Sequence, residues 1–301
     1  MELLYIFTIA LIISLFYKQL FQIILKIFLK PLVRFCIYLI DLKCDPYWDR
    51  ITETIPIYVD SRIQNRTELE KSIQDQLSEK LKQFETGSML VIQNKGDFIC
   101  SLVRIAGRGR FSHSAMYIEP GYFNSPEFRD LIPMDTNTNS RLFDAPLLWQ
   151  AAGEKKDDYN CNDAPDLHSL SKYLLYYMQK YPNSRYIIRN LHQKLDSKQS
   201  HSLKSFIYQT ITEKRLNFCS NFELFFTYYS SKLSILPKLL DGILNIKRTD
   251  LTFCSKILTE TFQHIGLIDL SINSNKGPNY FGYPYHTNVF QDESEIQFIY
   301  I

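Results

Sequence analysis

Two residues of this chain form a pair able to do covalent chemistry: Cys254, which opens a predicted helix, and His113, within a predicted strand. A thiol attacks as thiolate and needs a base to take its proton, and imidazole is the side chain suited to that near neutral pH. Cys254 stands in the first turn of the run from Thr252 to Gly266, where Asp250 or Thr252 can cap the start and Gly266 can end the helix. Free backbone N–H groups and the positive end of the helix dipole favour thiolate there. Phe253, Ile257, Thr261 and Ile265 recur at helical spacing, so the sulfur beside that stripe points inward. The plainer reading of Cys254 alone is a small buried hydrophobe.

His113 lies in the alternating stretch from Gly109 to Ile118, which places it on one face with Phe111, Ala115 and Tyr117. By itself it fits a satisfied core histidine as well as a base. Arg108 and Arg110 beside it are either solvated loop charge or an attraction for an anionic substrate.

The elements that must position this pair come from a chain of 301 residues, 45% hydrophobic and 14% aromatic, which is ample for a globular core. A net charge of +2, without an aromatic-interleaved basic patch, gives no reason to propose nucleic-acid binding. The six cysteines include no C-x-x-C, and no Cys/His cluster has metal-ligand spacing, so neither a metal nor another cofactor is expected. Scattered cysteines of this kind suit reduced thiols in a cytosolic setting.

Residues 1–44 read as a membrane anchor. An apolar run from Leu3 to Tyr17 reaches the length of a span, about 20 residues, by running on to Ile24 with Lys18 snorkelling or buried at a partner. Lys18, Lys26, Lys30 and Arg34 then form a basic stripe on the apolar stretch from Leu20 to Ile40, the pattern of an interfacial helix. Basic residues following the run, with Glu2 before it, place the remainder in the cytosol. A cleaved signal peptide is disfavoured, since no positive residue precedes the run and no small-residue cleavage site follows it. The single sequon, Asn65-Arg66-Thr67, argues for a lumen only if glycosylated.

Residues 45–84 are expected to be a linker and a lead-in helix. The helix has a capping box at Thr67-Glu68-Leu69-Glu70 and an apolar face of Leu69, Ile73, Leu77, Leu81 and Phe84. Strands follow at Met89 to Ile92, at His113, at Leu147 to Ala151, at Tyr186 to Arg189 and at the end from Ile296. Helical patterns fall at Leu170 to Tyr181 and Phe222 to Leu233, and Asn124 to Arg141 is a polar surface excursion.

Taken together, Gly87-Ser88-Met89-Leu90-Val91, Phe111-Ser112-His113-Ser114-Ala115-Met116-Tyr117-Ile118, Leu148-Trp149-Gln150-Ala151 and Phe253-Cys254-Ser255-Lys256 resemble, in that order, the circularly permuted papain-like amidohydrolases of NlpC type. The branch is that of YiiX-like and lecithin:retinol acyltransferase-like proteins, and the resemblance covers about residues 85 to 291, with Tyr283-Pro284-Tyr285 included. It implies an α+β domain over 85–301, with a helical insertion around 155–245 and a small antiparallel sheet packed on the cysteine helix. It also implies Cys254 as nucleophile, His113 as base and Gln150 in the histidine-orienting position. Gln150 departs from the glutamate usual there, and an amide orients imidazole by hydrogen bond without adding charge. Ser88 departs likewise from an aspartate, and Glu119 is a weaker choice for the third position. The implied activity is that of a membrane-anchored cysteine hydrolase or acyltransferase. Its partners would be membrane lipid and an acylated protein, peptide or lipid substrate. The alternative is a catalytically silent, membrane-tethered binding or scaffolding module.

Overall fold

The computed structural model describes residues 31–39 except 33, 51, 53–94, 100–104 except 102, 110–135, 140–151, 165–213, 217–218, 251–274, 278–282 and 288–301. The apolar run 1–30, Arg108, the expected helix from Phe222 to Leu233 and Tyr283-Pro284-Tyr285 lie outside these residues. Among the described residues no helix is long and apolar enough to cross a membrane.

The strands, in chain order, are β1 (Glu53–Val59), β2 (Met89–Gln93), β3 (His113–Ile118), β4 (Met134–Asp135), β5 (Ser140–Arg141), β6 (Leu147–Ala151), β7 (Pro165–Ser169), β8 (Arg185–Leu191), β9 (Asn217–Phe218), β10 (Leu251–Thr252) and β11 (Phe290–Tyr300). Seven of them form one sheet in the order β1-β11-β8-β2-β3-β6-β7. In this sheet β1 runs parallel to β11 and the other pairings are antiparallel, while β9 and β10 form a separate parallel pair. Helices α1 (Arg66–Lys80), α2 (Leu170–Lys180), α3 (Ser197–Thr212) and α4 (Cys254–His264) complete an α+β architecture.

Period-two alternation divides the sheet residues between two layers. Leu90, Ile92, Ala115, Tyr117 and Leu148 meet α1 and α2 on one face. On the other, Val91, Met116 and Trp149 meet Leu203 and Ile207 of α3 and Ile257, Leu258 and Phe262 of α4. Those three α4 side chains are fully buried, each worth roughly 1.5–3 kcal/mol of transfer energy, so packing fixes where Cys254 starts.

Several local expectations are corrected. The stretch 45–64, expected to be linker, contains β1: Ile55, Ile57 and Val59 alternate inward, and Pro56 is tolerated because β1 is an edge strand. The α1 cap is Asn65, whose Oδ1 accepts from Thr67 and Glu68 N–H at 2.9 and 3.4 Å, two residues before the expected box. Its predicted face, Leu69, Ile73, Leu77, Leu81 and Phe84, is buried. The region expected to be a helical insertion supplies β7 to the main sheet in addition to β8, the strand expected at Tyr186 to Arg189, and at seven strands that sheet is not small. Helix α3 went unrecognised, although Asp196 and Gln199 form a reciprocal capping box.

Candidate active site

Helix α4 is closed at its C-terminal end by its own backbone and left uncapped by side chains at its start. Gly266, at φ +78°, closes a Schellman turn in which Gly266 N–H meets Gln263 O at 3.1 Å and Leu267 N–H meets Phe262 O at 2.9 Å. At the other end the N-cap is Phe253, in extended conformation, rather than Asp250 or Thr252. A phenyl ring offers no oxygen to the first-turn N–H groups, which stay available to a sulfur or an oxyanion. Trp149 Nε1–H donates to Thr261 Oγ1 at 3.0 Å and ties the helix to β6.

Cys254 is 8% exposed and takes backbone N–H hydrogen bonds from Ser114 on β3 and from Ser255. His113 opens β3, opposite Ile92 of β2. Its side chain shares a face with Ala115 and Tyr117, whereas Phe111 packs in the opposite layer. The chain turns at Ser112, whose Oγ meets Ile92 O and Asn94 N–H, and so breaks the alternation that the sequence suggested.

Gln150 is fully buried, and its Oε1 accepts from His113 Nε2 at 2.6 Å. An amide oxygen accepts only, so Nε2 carries the proton and Nδ1 is the basic position. Sequence reasoning marked Cys254, His113 and Gln150, and the fold brings the three together. Glu119 and Ser88 lie at the far end of β2 and β3, where Glu119 bonds Thr86 and Ser88 bonds the Glu85 carbonyl and Asn190. Neither reaches the site.

The charges of the pair oppose burial and prevail. Burial alone would raise the Cys254 thiol, but the His113 charge and hydrogen bond and the two backbone N–H groups hold it below its ordinary value. Burial likewise would lower His113, but Cys254's charge and hydrogen bond, and the bond to Gln150, raise it overall. The arrangement therefore shifts the pair toward thiolate and imidazolium.

Two neighbours were invisible in the sequence. Tyr173 of α2 stacks on the His113 ring, and His168 of β7 is held neutral, its pKa lowered to about 4 by burial and by the His113 charge. Tyr173 comes from an aromatic stretch that reads as ordinary core and His168 from a short polar one, and the pairing of β7 with β6 puts them here. Among the described residues no group of three or more His, Cys, Asp or Glu is disposed to hold a metal ion. The described cysteines, Cys36, Cys100 and Cys254, are unbridged.

No family model matches this chain, and no curated protein matches it in sequence. Among solved structures it has a distant likeness to the metalloprotein yiiX from Escherichia coli O157:H7, DUF1105. That likeness covers 62% of this chain and 68% of the other, at 12% identity and a TM-score of 0.35.

Proposed function

We propose that the chain is a thiol hydrolase or acyltransferase of permuted papain-like type that cleaves an amide, ester or thioester bond through an acyl-enzyme on Cys254. The observation that carries this is the 2.6 Å bond from His113 Nε2 to Gln150, with the Cys254 sulfur near enough to the same imidazole for each to shift the other's pKa. The thiolate attacks the carbonyl carbon, a C–S bond forms, and the carbonyl electrons collect on an oxyanion facing the backbone N–H groups at the start of α4. His113 gives its proton to the departing amine, alcohol or thiol as that bond breaks. Water or an acceptor alcohol then loses a proton to His113 and attacks the acyl carbon, which restores the thiolate.

Residues 1–44 would anchor the domain on the cytosolic side of a membrane, so the substrate would be an acylated protein, peptide or lipid presented at that surface. The apolar surface of the helical segment at 31–39 suits such a place: Leu32, Phe35, Tyr38 and Leu39 are 49–59% exposed. A second reading, a silent tethered binding or scaffolding module, draws support from the neutral amide at Gln150 and from the burial of Cys254.

Full-length protein in detergent, mixed with a p-nitrophenyl acyl ester, tests the first reading. We expect a burst of nitrophenol and one acyl group on Cys254 by intact mass, both lost in Cys254→Ala. Ester turnover without an adduct, or unchanged in that variant, would overturn it, and alkylation of Cys254 no faster than a free thiol's would favour the silent module.

A further inference from the structure

The Tyr173 ring lies against the His113 imidazole, with centroids 5.9 Å apart and planes 28° from parallel. Tyr173 is buried, and Tyr177 on α2 and Tyr181 at its C-cap follow it, at 4.4 Å and then 5.8 Å between successive rings. Turning the Tyr173 ring away from His113 would require displacing this ladder. Its hydroxyl is no proton donor for the chemistry, because burial foremost drives its pKa well above the ordinary tyrosine value. What Tyr173 offers His113 is a ring face.

Gln150 and Cys254 engage the two edges of the imidazole, and the Tyr173 ring adds a restraint on its face, normal to the ring plane. Gln150 also brings no charge. Around the imidazole, α4 contributes Cys254, β7 contributes His168, held neutral, and α2 contributes Tyr173. Among the described residues, beyond the thiolate and the Gln150 oxygen, the Tyr173 ring face is a further neighbour suited to a positive charge, through cation–π attraction.

We propose that Tyr173 is a positioning residue for the Cys254–His113 pair, its ring fixing the imidazole plane so that Nε2 stays on Gln150 while Nδ1 serves Cys254, and favouring the imidazolium. This rests on the thiol-nucleophile reading. A flat face is the requirement, so phenylalanine should replace tyrosine and an aliphatic side chain should not.

The test uses full-length protein in detergent with 13C-labelled histidine, the His113 signal being assigned by its loss in His113→Gln. The His113 titration is followed by NMR in wild type, Tyr173→Phe, Tyr173→Leu and Tyr173→Met, and Cys254 alkylation by iodoacetamide is timed alongside. Tyr173→Leu and Tyr173→Met should lower the His113 pKa by roughly half a unit to one unit and slow alkylation near pH 6 by about three- to tenfold. Tyr173→Phe should match wild type. A His113 titration unmoved in Leu and Met, or moved equally in Phe, overturns the proposal, and Met preserves volume should Leu fail to fold. Slow alkylation in wild type would instead overturn the nucleophile reading, while the titration still decides whether the ring sets the His113 charge.

Discussion

Trp149 and Gln150, adjacent on β6, hold the two halves of the candidate site on opposite faces of the sheet. Trp149 Nε1–H donates to Thr261 Oγ1 at 3.0 Å and fastens the cysteine helix, whereas Gln150 Oε1 accepts from His113 at 2.6 Å. Successive residues of a strand face opposite sides, so one register serves both contacts, and a slip of one residue would exchange them.

Trp149→Phe is therefore expected to do more than remove a hydrogen bond. It keeps an aromatic ring in the core but deletes the N–H, while Thr261 Oγ1 still donates to Ile257 O at 2.7 Å. Urea unfolding should show a loss of about 1–2 kcal/mol, and iodoacetamide should label Cys254 more slowly as α4 loses its tether. A stability loss with unchanged labelling would show that the indole supports the core without positioning the helix.

The charge balance of the pair predicts a pH profile. Cys254 lies below the thiol value of 9.0, and His113 lies above the imidazole value of 6.5. Acyl transfer should rise as pH climbs through the lowered thiol value, because thiolate forms there, and fall as pH passes the raised imidazole value, because the leaving group then lacks its proton donor. The two limbs give apparent values for the coupled pair. Alkylation needs thiolate alone and should keep its plateau beyond the alkaline limb; a parallel fall would assign that limb to unfolding.

Much of this arrangement was legible from local pattern. The stripe Phe253, Ile257, Thr261, Ile265 and the terminator Gly266 specify α4, and the alternation of Leu147 to Ala151 sets Gln150 apart from Trp149. Long-range pairing was not legible. β1 hides behind Pro56 and becomes a strand only by lying on β11, more than two hundred residues away, and β7 reads as polar text until it meets β6. Tyr173 and His168 reach the site through those pairings, so no motif marked them. Phe111 misled for a local reason: the Ser112 turn sits between it and the strand.

Gln150→Glu should strengthen the ion pair. A carboxylate at hydrogen-bond distance from His113 stabilises imidazolium by charge, which raises the histidine pKa by roughly 1–3 units where the partner stays ionised. The alkaline limb of acyl transfer should then move up, and the thiolate fraction near pH 6 should rise. Burial disfavours a new carboxylate, so Gln150→Leu serves as the opposing control: it removes the acceptor and should depress both. A Glu variant with an unmoved alkaline limb would show that the Gln150 contact does not set the histidine charge.

The proposed membrane anchor at residues 1–44 can be tested separately from the chemistry. If the apolar run from Leu3 spans a bilayer, alkaline carbonate should leave the protein in the membrane pellet, whereas an interfacial helix alone should be released. The basic stripe Lys18, Lys26, Lys30 and Arg34 suits anionic cytosolic headgroups, so protease added to sealed, cytosolic-side-out vesicles should digest the domain. β1 begins at Glu53 and supplies the parallel edge partner of β11, which places the cut for a soluble version before residue 51. Deleting residues 1–44 should release a soluble protein that keeps the Cys254 alkylation rate, whereas deleting residues 1–60 removes β1 and should give aggregation from the unpaired β11 edge. Full protection of the domain in those vesicles would reverse the orientation, and insolubility of the 1–44 deletion would make the apolar run part of the fold instead of an anchor.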